Sequence, residues 1–465
     1  MNKKVTILGA IFICVAIVLA IPLYTKSKLS AEIQNAKEKL QTYGIKVKDV
    51  ETSGYFTSKV QLKYVIEDGT KLQSIIIRKL QKIDPSFQTF FPPSPKTNKM
   101  LHEIFDGMSF EGTLSVSNLF LFDPHLVLSL TSFSDELMKE IKRDKEAKDF
   151  VLPLLANQTV TFIIDYDKQK RIKSFRIKDI KLQKEKQFNV QLLDNVLKLN
   201  YSKGISGTYT LGKQVYDIAS VRKPFHLDVG KLFYSFDYLD QFNSKADVSI
   251  NDTHLKSTKY GRTSEFWVKL TQIKSAVMIK NDVNLAASTS YEVKDIKFQD
   301  GRANFTLKDT KFSVDVENLM KDNVQALSNA YRNLMMQTDR YARRVAGKDL
   351  AKALEDLMHN GFNMKVAFSL EDASVKKLAL KDIQGNFEVK IPKNNMNLKR
   401  QRFSAFLTMI DLSGKISMHE QDAQTIKKFS PRFSKVIDLG LQQADKKVYN
   451  IDYQNNHIYV NNTKL

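Results

Sequence analysis

The sequence predicts an α+β, β-rich chain: a single N-terminal transmembrane helix followed by a large antiparallel-sheet domain with a few interleaved helices. Three observations predict it. Residues 5–24 read VTILGAIFICVAIVLAIPLY, without a charge and between lysine pairs, and about 20 apolar residues span a bilayer as a helix. Further on, apolar and polar residues alternate, as in Phe387-Glu388-Val389-Lys390-Ile391. Such alternation marks an antiparallel sheet with one covered and one wet face. Asp-Gly and Asn-Asp turns divide the alternating runs at short intervals, the pattern of meanders.

The 5–24 run is longer than the apolar core of a cleaved signal peptide, about 7–15 residues, and Ile21, Leu23 and Tyr24 crowd the place of a cleavage site. An uncleaved anchor is therefore favoured over a signal peptide. Lys3 and Lys4 balance Lys26 and Lys28, so charge orients the span only weakly. With residues 1–4 as a short cytoplasmic tip, the bulk of the chain is expected outside the cytoplasm. Leu29, Ile33, Ala36, Leu40 and Tyr43 keep helical spacing through a membrane-proximal helix at 25–44, which Gly44 closes.

A large β-rich region at 45–316 follows. Strands are expected at 56–66, 110–122, 159–166, 172–181, 188–201, 208–219, 225–238 and 246–250, then at 266–273, 276–283, 285–298, 303–307 and 311–316. A short helix at 72–83 and a stiff proline-rich loop at 91–96 interrupt them. A second helix at 134–148 has Ser134 as its cap and acids in its first turn. The helical segment 317–361, stopped by Asn360-Gly361, divides this region from a second β/α region at 362–465. That region is helical over 422–443, broken before Pro431, and ends in a hairpin across Asn455-Asn456.

A length of 465 residues exceeds one ordinary core, so two packed lobes are expected. The single cysteine, Cys14, lies in the apolar run, which excludes disulfides and cysteine-ligated zinc downstream. A large exported domain without cysteine suits a bacterial envelope. The net charge of +21 suits anionic lipid or an acidic envelope polymer, and equally lysines that blunt strand edges. Nucleic acid is not expected as a partner, because no binding motif occurs.

Catalytic motifs are scarce. The seven histidines show no paired ligand spacing, and neither HExxH nor GxSxG occurs. The one SxxK match, Ser374 to Lys377, sits in a polar link between strands without its usual partner motifs. No cofactor fingerprint is present. Two basic stretches are the candidate contact sites for a membrane surface or ligand: Lys170, Arg171 and Lys173, and Lys399, Arg400 and Arg402. The competing reading is a charge run that faces solvent.

Three local patterns carry a family resemblance. Ser53-Gly54-Tyr55-Phe56-Thr57-Ser58 follows the anchor and short helix, residues 285–316 make an extended pair running into a helix, and residues 453–462 read YQNNHIYVNN. Together they resemble the bacterial domain-of-unknown-function 945 family, the YdgA-like inner-membrane proteins. The arginine expected before Gly54 is missing, and Asn456 and Asn462 replace two glycines; asparagine tolerates the positive φ such turns need. The resemblance covers most of the chain through turn and strand signals. It implies a single-pass inner-membrane protein with a periplasmic β-rich domain that self-associates, and it carries no catalytic residues.

The expected function is a non-enzymatic, membrane-anchored envelope protein that binds lipid or another envelope component on an extended β-surface. The alternatives are an envelope-polymer hydrolase, which needs a cleft with convergent acid, base or nucleophile, and an assembly module that recruits a partner by strand addition.

Overall fold

A computed structural model describes residues 37–53, 57–75, 99, 102–117, 124–167, 169, 171–184, 188–219, 224–240, 242–259, 262–281, 283–300, 303–337, 339–375, 378–394, 409–454 and 456–465. The expected anchor at 5–24 and the loop at 91–96 lie outside them. Among the described residues no helix is long and apolar enough to cross a membrane. The chain is β-rich, with antiparallel pairing, and divides into two compact units.

Unit 1 takes the described residues up to 180, with 192–201 and 207–210. It opens with helical residues 37–42, closed by Gly44 at φ 77°. Next come β1 (Ile45–Ser53), β2 (Thr57–Ile66), β3 (Ser109–Ser117) and β4 (His125–Ser132). Helices α1 (Asp135–Arg143) and α2 (Lys145–Ala156) then lead to β5 (Thr161–Tyr166) and β6 (Ile172–Ile177). Ser134 caps α1 by accepting from Leu137 N, and Asp135 and Glu136 face the positive end of its dipole. Asp144 separates the two helices where one was expected.

After β7 (Ile180–Lys184), β8 (Phe188–Leu192), β9 (Asn195–Asn200) and β10 (Ile205–Leu211) the chain enters unit 2 for good. Each strand of the series β1 to β6, then β9, pairs antiparallel with the next. Directly paired residues share a face. The row Val60, Leu114, Leu126, Ile164, Phe175 and Leu197 therefore forms one apolar line, and every member is buried. Phe105, Ile141 and Leu155 from helical residues of the same unit are buried as well.

The core of unit 2 is a long meander. It contains β11 (Gln214–Ile218), β12 (Phe225–Val229), β13 (Leu232–Asp240), β14 (Asn243–Ile250), β15 (Thr253–Lys259), β16 (Arg262–Val268), β17 (Thr271–Asn281), β18 (Asn284–Asp300) and β19 (Ala303–Met320). The register runs unbroken from β12 into β13, from β14 into β15 and from β16 into β17. Each pair is thus one through-going strand with a short interruption. After helices α3 (Lys321–Met336) and α4 (Arg340–His359) the sheet resumes with β20 (Phe362–Val375), β21 (Leu378–Ile391) and β22 (Asp411–His419). Helix α5 (Glu420–Phe429), a 3₁₀ turn at Pro431–Phe433 and α6 (Ser434–Asp438) precede β23 (Leu441–Gln443), β24 (Lys446–Gln454), β25 (His457–Val460) and β26 (Thr463–Lys464).

The helical segment 317–361 does not divide the chain. It is an excursion between two strands of one unit, since β19 and β20 pair along most of their length. Its start also moves: Glu317 and Leu319 stay in β19, opposite Asn363 and Leu285, so the helix begins at Lys321. The expected helix at 422–443 ends at Asp438, where Gly440 and the paired strand β23 take over. In the terminal hairpin Asn456 and Asn462 adopt φ of 64° and 67°, the left-handed conformation that asparagine tolerates.

Candidate functional site

The registers of unit 2 sort its side chains into two unlike faces. One row runs Tyr234, Val248, Ile273, Tyr291, Phe312, Phe368, Gly385, Ile416, Tyr449 across β13, β14, β17 to β22 and β24. At a strand spacing of about 4.8 Å it extends for roughly 38 Å. Parallel rows on this face contain Phe236, Val314, Val366, Phe387 and Ile451, then Leu232, Ile250, Val293, Leu370 and Ile383, then Val277, Val316, Met364, Val389 and Leu412. No Asp, Glu, Lys or Arg interrupts these rows. The other face reads Gln272, Glu292, Lys311, Ser369, Gln384 and Asp247, Lys274, Ser290, Ser313. Its charges pair with one another, Lys311 with Glu292 at 3.4 Å and Lys274 with Asp247 at 4.0 Å.

Two margins of the apolar face are covered. Ile391 packs with Met358, Phe362, Val389, Met409 and Ile410 at the end of α4. Beside α6, Tyr449 is buried and its hydroxyl reaches Ile437 O at 3.4 Å. Between these margins the face is open: Tyr291 is 44 % and Phe312 40 % exposed, their rings 6.4 Å apart. The difference from unit 1 is plain, for there the equivalent row is buried throughout. Covering the exposed part of Phe312 alone would contribute about 2 kcal/mol.

Glycines let the rings lie down on this face. A Cβ at Gly385 would stand 2.4 Å from the Phe368 ring, and one at Gly414 would stand 2.2 Å from the Phe387 ring. The two phenylalanines stack at 6.4 Å with 16° between their planes. Aromatic cover over a cross-strand glycine is a known device of sheets, and here it supplies part of the shielding for a face whose central Tyr291 and Phe312 stay exposed.

The residues singled out from the sequence fall elsewhere. Lys170, Lys399, Arg400 and Arg402 lie outside the described residues. Arg171 is engaged at a turn: its guanidinium binds Asp167 Oδ2 at 2.8 Å and sits 4.4 Å over the Tyr201 ring. Lys173 is exposed on β6 between buried Ile172 and half-buried Ser174. Ser374 lies in β20 and not in a link; its Oγ is 2.5 Å from Thr306 Oγ1 of the paired strand, and Lys377 lies outside the described residues.

Four histidines face carboxylates: His102 with Asp106, His125 with Asp165, His226 with Asp217 and His419 with Asp445. The Asp106 hydrogen bond and charge push the His102 ring up. Among the described residues no three His, Cys, Asp or Glu side chains gather to hold a metal ion. An open pocket of ≈ 390 Å³ at the start of α3 is lined by Asp240, Phe242, Lys321, Asp322 and Gln325. Asp240 is already used there, accepting from Phe242 N and Asn243 Nδ2, and Lys321 stands 5.1 Å over the Phe242 ring. The pocket is built as a joint between the β13–β14 tip and the helix.

The apolar face was missed as a set of residues because it is assembled by register, which no local window contains. No protein-family model matches the chain, and no match was found among curated proteins or solved structures.

Proposed function

We propose that the open apolar face of unit 2 holds the acyl part of a lipid, and that the chain does this as an envelope protein tethered to the bacterial inner membrane. The observation that carries this reading is the uncharged apolar row through Tyr291 and Phe312, left exposed while the charges of these strands, among them Lys274, Glu292 and Lys311, stand on the opposite face. Acyl chains need no hydrogen bonds, so a face without charges suits them better than it suits a protein partner, whose interface carries about one hydrogen bond per 100–200 Å². The apolar run at 5–24 supports a source for such a ligand, since a run of that length and composition suits a bilayer. The cysteine-free body and the family resemblance support a periplasmic location for the bulk of the chain. Binding without catalysis is the simpler role for such a surface, which has no convergent acid, base or nucleophile among its rows.

A photo-crosslinking amino acid placed at Phe312, in the full chain in its native membrane, should form lipid adducts detectable by mass spectrometry. The same group at Ser313, on the polar face of the same strand, should not. Equal lipid labelling at both positions would sink the proposal. A covalent dimer through position 312 would instead assign the face to a second copy of the chain.

A further inference from the structure

Helix α4 begins against its own electrostatics. Its opening residues are Arg340, Tyr341, Ala342, Arg343 and Arg344, and its first turn has no acidic residue. Cations there oppose the positive end of the helix dipole. Arg340, Arg344 and Lys348, spaced by four, also repel one another along one side. Arg340, Arg343, Arg344 and Lys348 are all exposed, and none makes an ion pair among the described residues. What holds the start of the helix is the Asp339 cap, which accepts from Ala342 N at 2.8 Å, and the buried side of α4 at Ala346, Ala353 and Leu357. A local rule broken without a compensating contact among the described residues is expected at a functional site.

Large apolar side chains stand open to water among these charges. Tyr341 is 77 % and Val345 43 % exposed, one turn apart on α4, and the last turns of α3 add Tyr331 at 52 % and Met335 at 49 %. Between 331 and 348 the described residues hold five Arg or Lys and one acid, the capping Asp339. Cations interleaved with exposed aromatic and aliphatic groups match the chemistry of an anionic bilayer surface, where guanidinium groups meet phosphates and the apolar groups enter the headgroup boundary.

We propose that the 331–348 end of the α3–α4 hairpin docks on an anionic lipid bilayer. This docking uses residues apart from the apolar face and does not depend on what that face binds. An acidic protein would satisfy the arginines, but it would leave Tyr341 and Val345 without a reason to be uncovered.

The test uses the full chain with Cys14→Ser and Tyr341→Cys, labelled with a polarity-sensitive fluorophore at 341. It is reconstituted into vesicles of phosphatidylcholine alone, or of equal parts phosphatidylcholine and phosphatidylglycerol. Emission should shift to the blue only with phosphatidylglycerol, and high salt should reverse the shift. Each cation near such a surface contributes about fivefold in affinity, so the added triple change Arg340→Gln, Arg343→Gln, Arg344→Gln should abolish the shift. A label at Leu239, exposed but flanked by Asp237 and Asp240, should not respond. Emission at 341 that ignores phosphatidylglycerol, or that survives the triple change, would overturn the docking. Intact lipid crosslinking at 312 in that case would leave the acyl-binding reading standing by itself.

Discussion

At the scale of single residues, the sheet of unit 2 is tuned by small side chains. Gly414 exists so that the Phe387 ring can lie across it. Gly414→Ala should force that ring off its position and cost about 1–3 kcal/mol, measured by urea unfolding; a loss below a few tenths would show the ring is free to move. Charge is tuned the same way in unit 1. Burial pushes the Asp165 carboxyl up, but hydrogen bonds from Ser174 and the His125 ring, with the charges of His125 and Arg176, outweigh it and hold the carboxyl below its ordinary value. A carboxyl depressed in the folded state adds stability above its unfolded value and loses it as pH falls through the folded one. Stability should therefore decline as pH drops below the ordinary carboxylate range, and Asp165→Asn should flatten that decline in acid-unfolding curves. None of this was legible in sequence: the ring over Gly414 comes from another strand, and His125, one partner of Asp165, lies 40 residues away in the chain.

At the scale of elements, much was legible where the period of two is clean. β2, β5 and the terminal hairpin lie close to where alternation puts them. The strand β19 was read as two pieces, 303–307 and 311–316, and the reason is physical. Its apolar positions are odd at Phe305 and Leu307 but even at Phe312 and Val314. The slip occurs at Asp309, which has a φ of 39°. Neighbouring strands slip on the same line: β18 between Val293 and Ile296, β20 between Leu370 and Ala373, and β21 between Leu380 and Ile383 at Asp382, φ 46°. A one-residue slip sends side chains to the other face unless the backbone breaks its regularity there, so a local reading sees an end where the chain has a kink. β4 and β20 also alternate, but β4 begins just after Pro124 and β20 just after the Asn360-Gly361 helix stop, signals that compete with a strand. For helix α4 the decisive feature is its cap. Asp339→Ala should cost about 1 kcal/mol of stability, because the arginines that follow add nothing to offset it; an unchanged melting temperature would mean that tertiary packing alone holds the helix.

At the scale of the whole molecule, alternation was enough for the β-rich, antiparallel class, while the site needed registers. The basic stretches that stood out by density did not lead to it: Arg171 is tied to Asp167 and Tyr201. The apolar face instead draws a residue or two from each of many strands, so each contribution looks like ordinary sheet. Two units built on the same antiparallel rule differ in one respect. The apolar row of unit 1 is buried throughout, and that of unit 2 leaves Tyr291 and Phe312 exposed.

The helical excursion between β19 and β20 has a consequence for how the chain is made. From β14 to β19 each through-going strand follows its predecessor after two residues, so pairing can follow synthesis closely. β19 then waits. Its 18 residues present one unpaired edge while α3 and α4 are translated, roughly 2–8 s at ribosomal rates of about 5–20 residues per second. During that interval an open strand edge is a template for any other extended chain. The edge is closed by β20, so the length of the α3–α4 excursion sets how long the nascent protein is exposed to mispairing.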